Sequence, residues 1–163
     1  MSVNLSNKQF KHLNLNNDID AILQQSGISA DRLTLEIPET VIMEETEATA
    51  HTLKRLQAHG VQLCIDDFGT GQASLRHLYS FPLHSLKIDS SFVSCLEENE
   101  RSVTMVHAMI TLASNLGMEV IAEGVETAHQ AAHLRALGCT YAQGFFFSNA
   151  LESAAVEHLL GSH

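Results

Sequence analysis

The first chemical signal in this chain is a pair of acids at the end of an apolar run: Leu63-Cys64-Ile65-Asp66-Asp67-Phe68-Gly69-Thr70-Gly71. The apolar residues read as a buried strand, the acids as its C-terminal end, and the glycines as the turn beyond it. Adjacent carboxylates repel, by about 4 kcal/mol at ~4 Å in a partly screened site. A divalent cation between the oxygens relieves that repulsion. Asn4, Glu36, Lys87 with Asp89, Glu123 and Gln143 stand at or near the ends of other apolar runs in the same way.

Each of these residues also has a purely structural reading. Asp66 and Asp67 equally suit a helix N-cap or a solvated turn. Glu36 and Glu39 could border a helix N-terminus, Lys87 could be a structural ion-pair partner, and Asn4 before Leu5-Ser6 could be a turn or cap. Asp67-Phe68-Gly69 has the form of the kinase magnesium loop, but no HRD loop or VAIK strand precedes it. The 10 histidines include no HExxH and no clustered Cys/His spacing, and they read mostly as surface residues on helices.

The elements that must position these side chains alternate. Short apolar runs rich in β-branched residues predict strands at 3–5, 33–37, 61–65, 85–88, 119–122 and 141–146. Helical periodicity links Ile19, Ile22 and Leu23. It recurs over 51–58, with Leu53, Leu56 and Ala58. Between 101 and 116 it draws a wide stripe of Val103, Val106, Met109, Ile110, Leu112, Ala113 and Leu116. Gly27, Gly60, Gly117 and Gly138 fall where helices should end in a left-handed residue. Pro82 breaks the segment before the fourth strand. Six βα units with nearly continuous apolar strands predict an α/β fold with a parallel sheet covered by helices. A doubly wound sheet and a (β/α)8 barrel both fit. The barrel is preferred, because polar residues close strand after strand and a barrel brings such ends to one central site.

With 163 residues, 45% hydrophobic, the chain has material for one domain with a real core. Nineteen acids against nine basic residues give a net charge of −10, which argues against binding a nucleic-acid polymer. Cys64, Cys95 and Cys139, odd in number and scattered, read as free thiols in a reducing compartment. No apolar stretch reaches membrane-spanning length and no signal peptide opens the chain, so the cytoplasm is the expected compartment.

Six stretches together resemble the EAL domain, a cyclic diguanylate phosphodiesterase fold: VNLS at 3–6, LEIPE at 35–39, IDDFGTG at 65–71, LKID at 86–89, AEGVET at 122–127 and QGF at 143–145. They follow the family's order and spacing over essentially the whole chain. The resemblance implies a TIM-like (β/α)8 barrel with one antiparallel strand. It implies opening of cyclic di-GMP to linear pGpG with Mg²⁺ or Mn²⁺, in two ions. It also implies roles. Asn4, Glu36, Asp66 and Asp67 correspond to metal ligands. Lys87 corresponds to a cation that holds the attacking water and steadies phosphoryl charge. Glu123 corresponds to a metal-site or general-base carboxylate, Gln143 to a polar group near the metal-bound water, and Asp89 to a substrate contact. Glu39 corresponds to the anchor of the loop carrying Asp67-Phe68-Gly69. Glu126 lies in a matching stretch with no firm role. General chemistry agrees: hard oxygen ligands select Mg²⁺ or Mn²⁺ over zinc, and a metal-bound water attacks a phosphodiester near neutral pH.

The departures are as informative. The Glu-Ala-Leu strand for which the family is named, with its nearby arginine, is absent, and a full barrel needs roughly 250 residues. The expectation is therefore that residues 1–163 form the C-terminal two-thirds of one barrel: six βα units, with the first two strands missing. Pro38 stands where the family usually has threonine, and Asn149-Ala150 lacks a proline that usually follows. The chain alone is expected to be inactive and to associate through its open side, as a homodimer or otherwise. An upstream sensory or GGDEF domain is compatible with a longer protein. The alternative is a degenerate module that binds cyclic di-GMP or partner proteins without hydrolysis.

Overall fold

Six strands pair in chain order, every pair parallel, in one sheet: β1 (Ser2–Asn4), β2 (Thr34–Pro38), β3 (Gln62–Phe68), β4 (Ser85–Ile88), β5 (Glu119–Ala122) and β6 (Tyr141–Ala142). This is a computed structural model, and it describes residues 1–44, 46–71, 75–97 and 99–161. Helices fill the connections and the tail: α1 (Asn7–Phe10), α2 (Leu15–Ser26), α3 (Glu39–Met43), α4 (Glu47–Ala58), α5 (Leu75–Ser80), α6 (Ser90–Ser94), α7 (Glu100–Asn115), α8 (Ala128–Ala136) and α9 (Ser153–Gly161). Among the described residues no strand pairs beyond β1 or β6, so the sheet is an open, curled part of a barrel with helices on its outer side.

Local chemistry explains where the helices start and stop. Thr46, Asn99 and Thr127 cap α4, α7 and α8 by accepting backbone N–H bonds from Thr49, Ser102 and Gln130. The four glycines expected to end helices all have positive φ, between 68° and 90°. The stripe on α7 buries Val106, Met109, Ile110 and Ala113 and packs against β4 and β5. α4 buries Leu53 and Leu56 and packs against β3. Each of these leucine, isoleucine, valine and methionine side chains, fully buried, contributes about 1.5–3 kcal/mol.

Three sequence expectations need correction. β3 does not stop at residue 65. It continues to Phe68, with its pairing to β4 shifted between Ile65 and Phe68, so both acids lie within a strand bulge. β6 is two residues long, because the chain turns at Gly144 and Phe145–Phe147 leave the sheet. Ile22 is 61% exposed, not buried with Ile19. The cause is the open edge. Beside β1 a groove of about 750 Å³ runs between the sheet and α2, and Val3, Leu5, Ile19, Ile22 and Leu35 line it. All three cysteines are free, as expected. Among the described residues no helix is long and apolar enough to cross a membrane.

Candidate active site

The concave face of the sheet is polar where the helix-facing side is apolar. Side chains alternate along a strand. With Ile37, Leu63, Ile65, Leu86 and Ile88 turned to the helices, Glu36, Cys64, Asp66, Ser85 and Lys87 turn to the concave side. Lys87 is the hub. Its side chain is 5% exposed, and Nζ lies 2.8 Å from Glu36 Oε2, 2.5 Å from Glu123 Oε1 and 3.1 Å from Asp66 Oδ1. Gln143, just past β6, donates from Nε2 to Glu123 Oε1 at 2.6 Å. From the other edge, Ser2 donates from Oγ to Glu36 Oε1 at 2.5 Å.

The bulge in β3 carries both adjacent acids. Asp67 has φ 54°, a left-handed conformation rare for a residue with a Cβ, which suits the short polar chain of an aspartate. Carboxylate oxygens of Asp66, Asp67 and Glu123 come within 4.8 Å of one another. Asp66 Oδ1 is buried and accepts no hydrogen bond, although the Lys87 ammonium stands near it. Burial raises the Glu123 carboxyl above its usual range. Lys87 opposes that rise, and Asp66 and Asp67 add to it. Desolvation at the strand end, then the charges of Asp66 and Asp89, raise Asp67. Burial works against the charge on Lys87, but the bonds to Glu123 and Glu36 outweigh it and its pKa is raised. The cluster carries more negative charge than one ammonium balances.

Glu39 opens α3 and stands apart from the cluster, holding the loop beyond it. Its Oε2 accepts the backbone N–H groups of Gly69 and Gly71, each at 3.1 Å. A Cβ on Gly71 would sit 2.9 Å from the Glu39 carboxyl carbon. One on Gly69 (φ 100°) would strike Met109 at 2.7 Å and Phe92 at 2.8 Å. Glycine at both positions lets the loop close on the carboxylate and on α6 and α7. Pro38 fits its place with φ −55°, but α3 consequently starts without a side-chain cap.

Among the expected site residues, Glu36, Asp66, Asp67, Lys87, Glu123 and Gln143 gather at the C-terminal ends of their strands. Asn4 pairs opposite Glu36 at the end of β1 and is exposed. Asp89 follows β4, and its Oδ1 accepts the Ser91 N–H at 3.0 Å to cap α6. Glu126 leads into the capping box of α8, its N–H donating to Gln130 at 2.7 Å. Sequence reasoning passed over Ser2. The available signal was its position two residues before Asn4, on the same face of an alternating strand.

An open curl of a parallel barrel with acids and one lysine at its strand ends describes an architecture rather than a particular protein. The family follows from comparison. The EAL domain model matches residues 1–150, and the chain belongs to the EAL domain family. It is 38% identical over 163 residues to the cyclic di-GMP phosphodiesterase NbdA of Pseudomonas aeruginosa, covering 100% of this chain and 21% of that protein. The structure of the PaMucR phosphodiesterase in complex with c-di-GMP superposes with TM-score 0.91 at 35% identity, covering 95% of this chain and 63% of that one. The Klebsiella pneumoniae BlrP1 manganese/cy-diGMP complex gives TM-score 0.84 at 29% identity, covering 91% of this chain and 38% of that one. The chain spans about a fifth of the length of the curated relatives it matches.

Proposed function

We propose that this chain supplies the metal-binding and charge-stabilising side of a phosphodiesterase that opens cyclic di-GMP to linear pGpG. The observation that carries this reading is the meeting of Asp66, Asp67 and Glu123 beside Lys87. The substrate is inferred from the relatives. The residues suit a divalent cation: the donors are hard oxygens, negative charge is in excess, and the buried Asp66 Oδ1 lacks a hydrogen bond. Asp66, Asp67 and Glu123 would hold Mg²⁺ or Mn²⁺, with Glu36 and Asn4 on adjoining strand ends completing a site for two ions. Such ions, when bound, activate water and neutralise phosphate charge.

The chain's own groups do the rest. Lys87, fixed by Glu36 and Glu123, is placed to steady charge that builds on phosphoryl oxygens. As an alternative to holding metal, Glu123 is placed to act as the general base that takes a proton from the attacking water. Gln143 and Lys87 grip the same Glu123 oxygen and fix its orientation. Glu39 keeps the loop after Asp67 in place, and Asp89 adds a substrate contact to its capping role. We take residues 1–163 as part of one barrel domain. On its own the chain should turn over negligible substrate, because the concave face is open beside β1 and displaced groups cost ~10²-fold or more. The exposed edge and groove should also drive self-association, which sedimentation at micromolar concentration would reveal.

The open sheet equally favours a second reading, in which the chain binds cyclic di-GMP or a partner without hydrolysis. Two measurements separate the readings. Calorimetric titration with Mn²⁺ should show binding that Asp66→Ala weakens substantially, and equal affinity in the two would sink the metal assignment. Chromatography after incubation with cyclic di-GMP and Mn²⁺ should yield pGpG only when the sheet is closed by further strands. Binding without product in the closed barrel would select the second reading.

A further inference from the structure

Ser2 lies at the outer edge of the sheet, yet it ends a hydrogen-bonded chain that crosses it. The register sets Ser2 opposite Thr34 and Asn4 opposite Glu36, and strand alternation turns both Ser2 and Asn4 to the concave side. Ser2 Oγ donates to Glu36 Oε1 at 2.5 Å while Lys87 Nζ donates to Glu36 Oε2 at 2.8 Å. Both oxygens of a residue only 6% exposed are therefore held, by donors from different strands. Lys87 continues to Glu123 at 2.5 Å, and Gln143 closes the far end at 2.6 Å. The order Ser2, Glu36, Lys87, Glu123, Gln143 runs from one edge of the sheet to the other. Ser2 and Gln143 are its terminal donors.

We propose that Ser2 is a positioning residue for the metal site, acting through Glu36 and Lys87. This rests on the divalent-metal reading of Asp66, Asp67 and Glu123. The terminal torsion of a glutamate is broad and roughly two-fold, so a carboxylate with one donor can rotate about it. A second donor on the opposite oxygen fixes the plane. A fixed Glu36 fixes the Lys87 ammonium, whose place decides how much negative charge Asp66 and Glu123 offer a cation. Outer donors of this kind change metal affinity by about 10–100-fold when removed.

Threonine and valine at position 2 make the decisive pair. They share a shape and a preference for strands, and only threonine carries the hydroxyl. The 163-residue chain is titrated calorimetrically with Mn²⁺ as the parent, Ser2→Thr, Ser2→Val and Asp66→Ala. The expected result is parent-like affinity in Ser2→Thr and a loss of about tenfold or more in Ser2→Val, with Asp66→Ala weaker than the parent. Equal affinity in the threonine and valine variants, with Asp66→Ala still impaired, overturns the role of Ser2 and leaves the metal reading standing. Parent-like binding in Asp66→Ala overturns the metal reading, and the role of Ser2 with it. Because both Ser2 variants are β-branched at the same position, a shared loss of folding cannot produce a difference between them.

Discussion

On its helix side the sheet presents Ile37, Leu63, Ile65, Leu86 and Ile88, all at 0% exposure. One residue along from each, on its concave side, it presents Glu36, Cys64, Asp66 and Lys87. The two faces share a backbone and differ by a single step of the pleat. The apolar face gains from every neighbour it touches and has little tolerance for lost volume. The polar face crowds three carboxylates around one ammonium with Asp67 close by, an excess of negative charge that a cation would offset. Stability and chemistry are thus separated by direction rather than by distance.

The largest effect should come from the apolar face. Leu86→Ala is expected to cost about 2–5 kcal/mol by denaturant titration. A loss under about 1 kcal/mol, smaller than such sites give, would mean that the helix side is not where the fold is held. In a closed EAL barrel, Lys87→Ala and Glu123→Ala should each lower turnover of cyclic di-GMP by ~10²-fold or more. Full activity in either variant rejects the role assigned to that residue.

A subtler effect concerns the charge on Glu123. Its folded pKa is raised, so the ionised carboxyl costs stability above that pKa, and the cost disappears below the unfolded value of about 4.3. Glu123→Gln should therefore melt higher than the parent at pH 7 without metal, with the gap closing as the pH falls to about 4. A parent that melts higher at pH 7 would show that the concave face is not under electrostatic load. The smallest effect is chemical. Burial pushes the Cys64 thiol up to about 12. At pH 8 iodoacetamide should leave Cys64 unmodified in the folded chain while it labels the half-exposed Cys95, as read by mass spectrometry.

Much of this was legible in the sequence. β4 and β5 occupy the expected residues, because short runs bounded by a proline or a helix-ending glycine leave little freedom of register. The six polar residues that gather on the concave face were each visible as a polar interruption at a strand end. What stayed hidden depends on contacts far apart in sequence. The bulge at Asp66 and Asp67 arises from a pairing shift with β4. Ile22 is exposed because nothing covers α2 there. β6 ends early because Gly144 passes so close to the Val125 backbone that a Cβ would lie 2.2 Å from its carbonyl oxygen. None of these was encoded by periodicity. Ser2 needed the register of β1 on β2 before its hydroxyl could be matched to Glu36.

The unbroken order of the sheet has a consequence for synthesis. Each strand from β1 to β5 pairs with the next one to be made, so no strand waits for a distant partner. As the ribosome delivers the chain, each strand from β2 to β6 can add to the strand made before it, which keeps the closure entropy of each step small. Growth of this kind is directional: a pause or break between two strands leaves one contiguous, partly assembled body instead of a tangle of interleaved pieces.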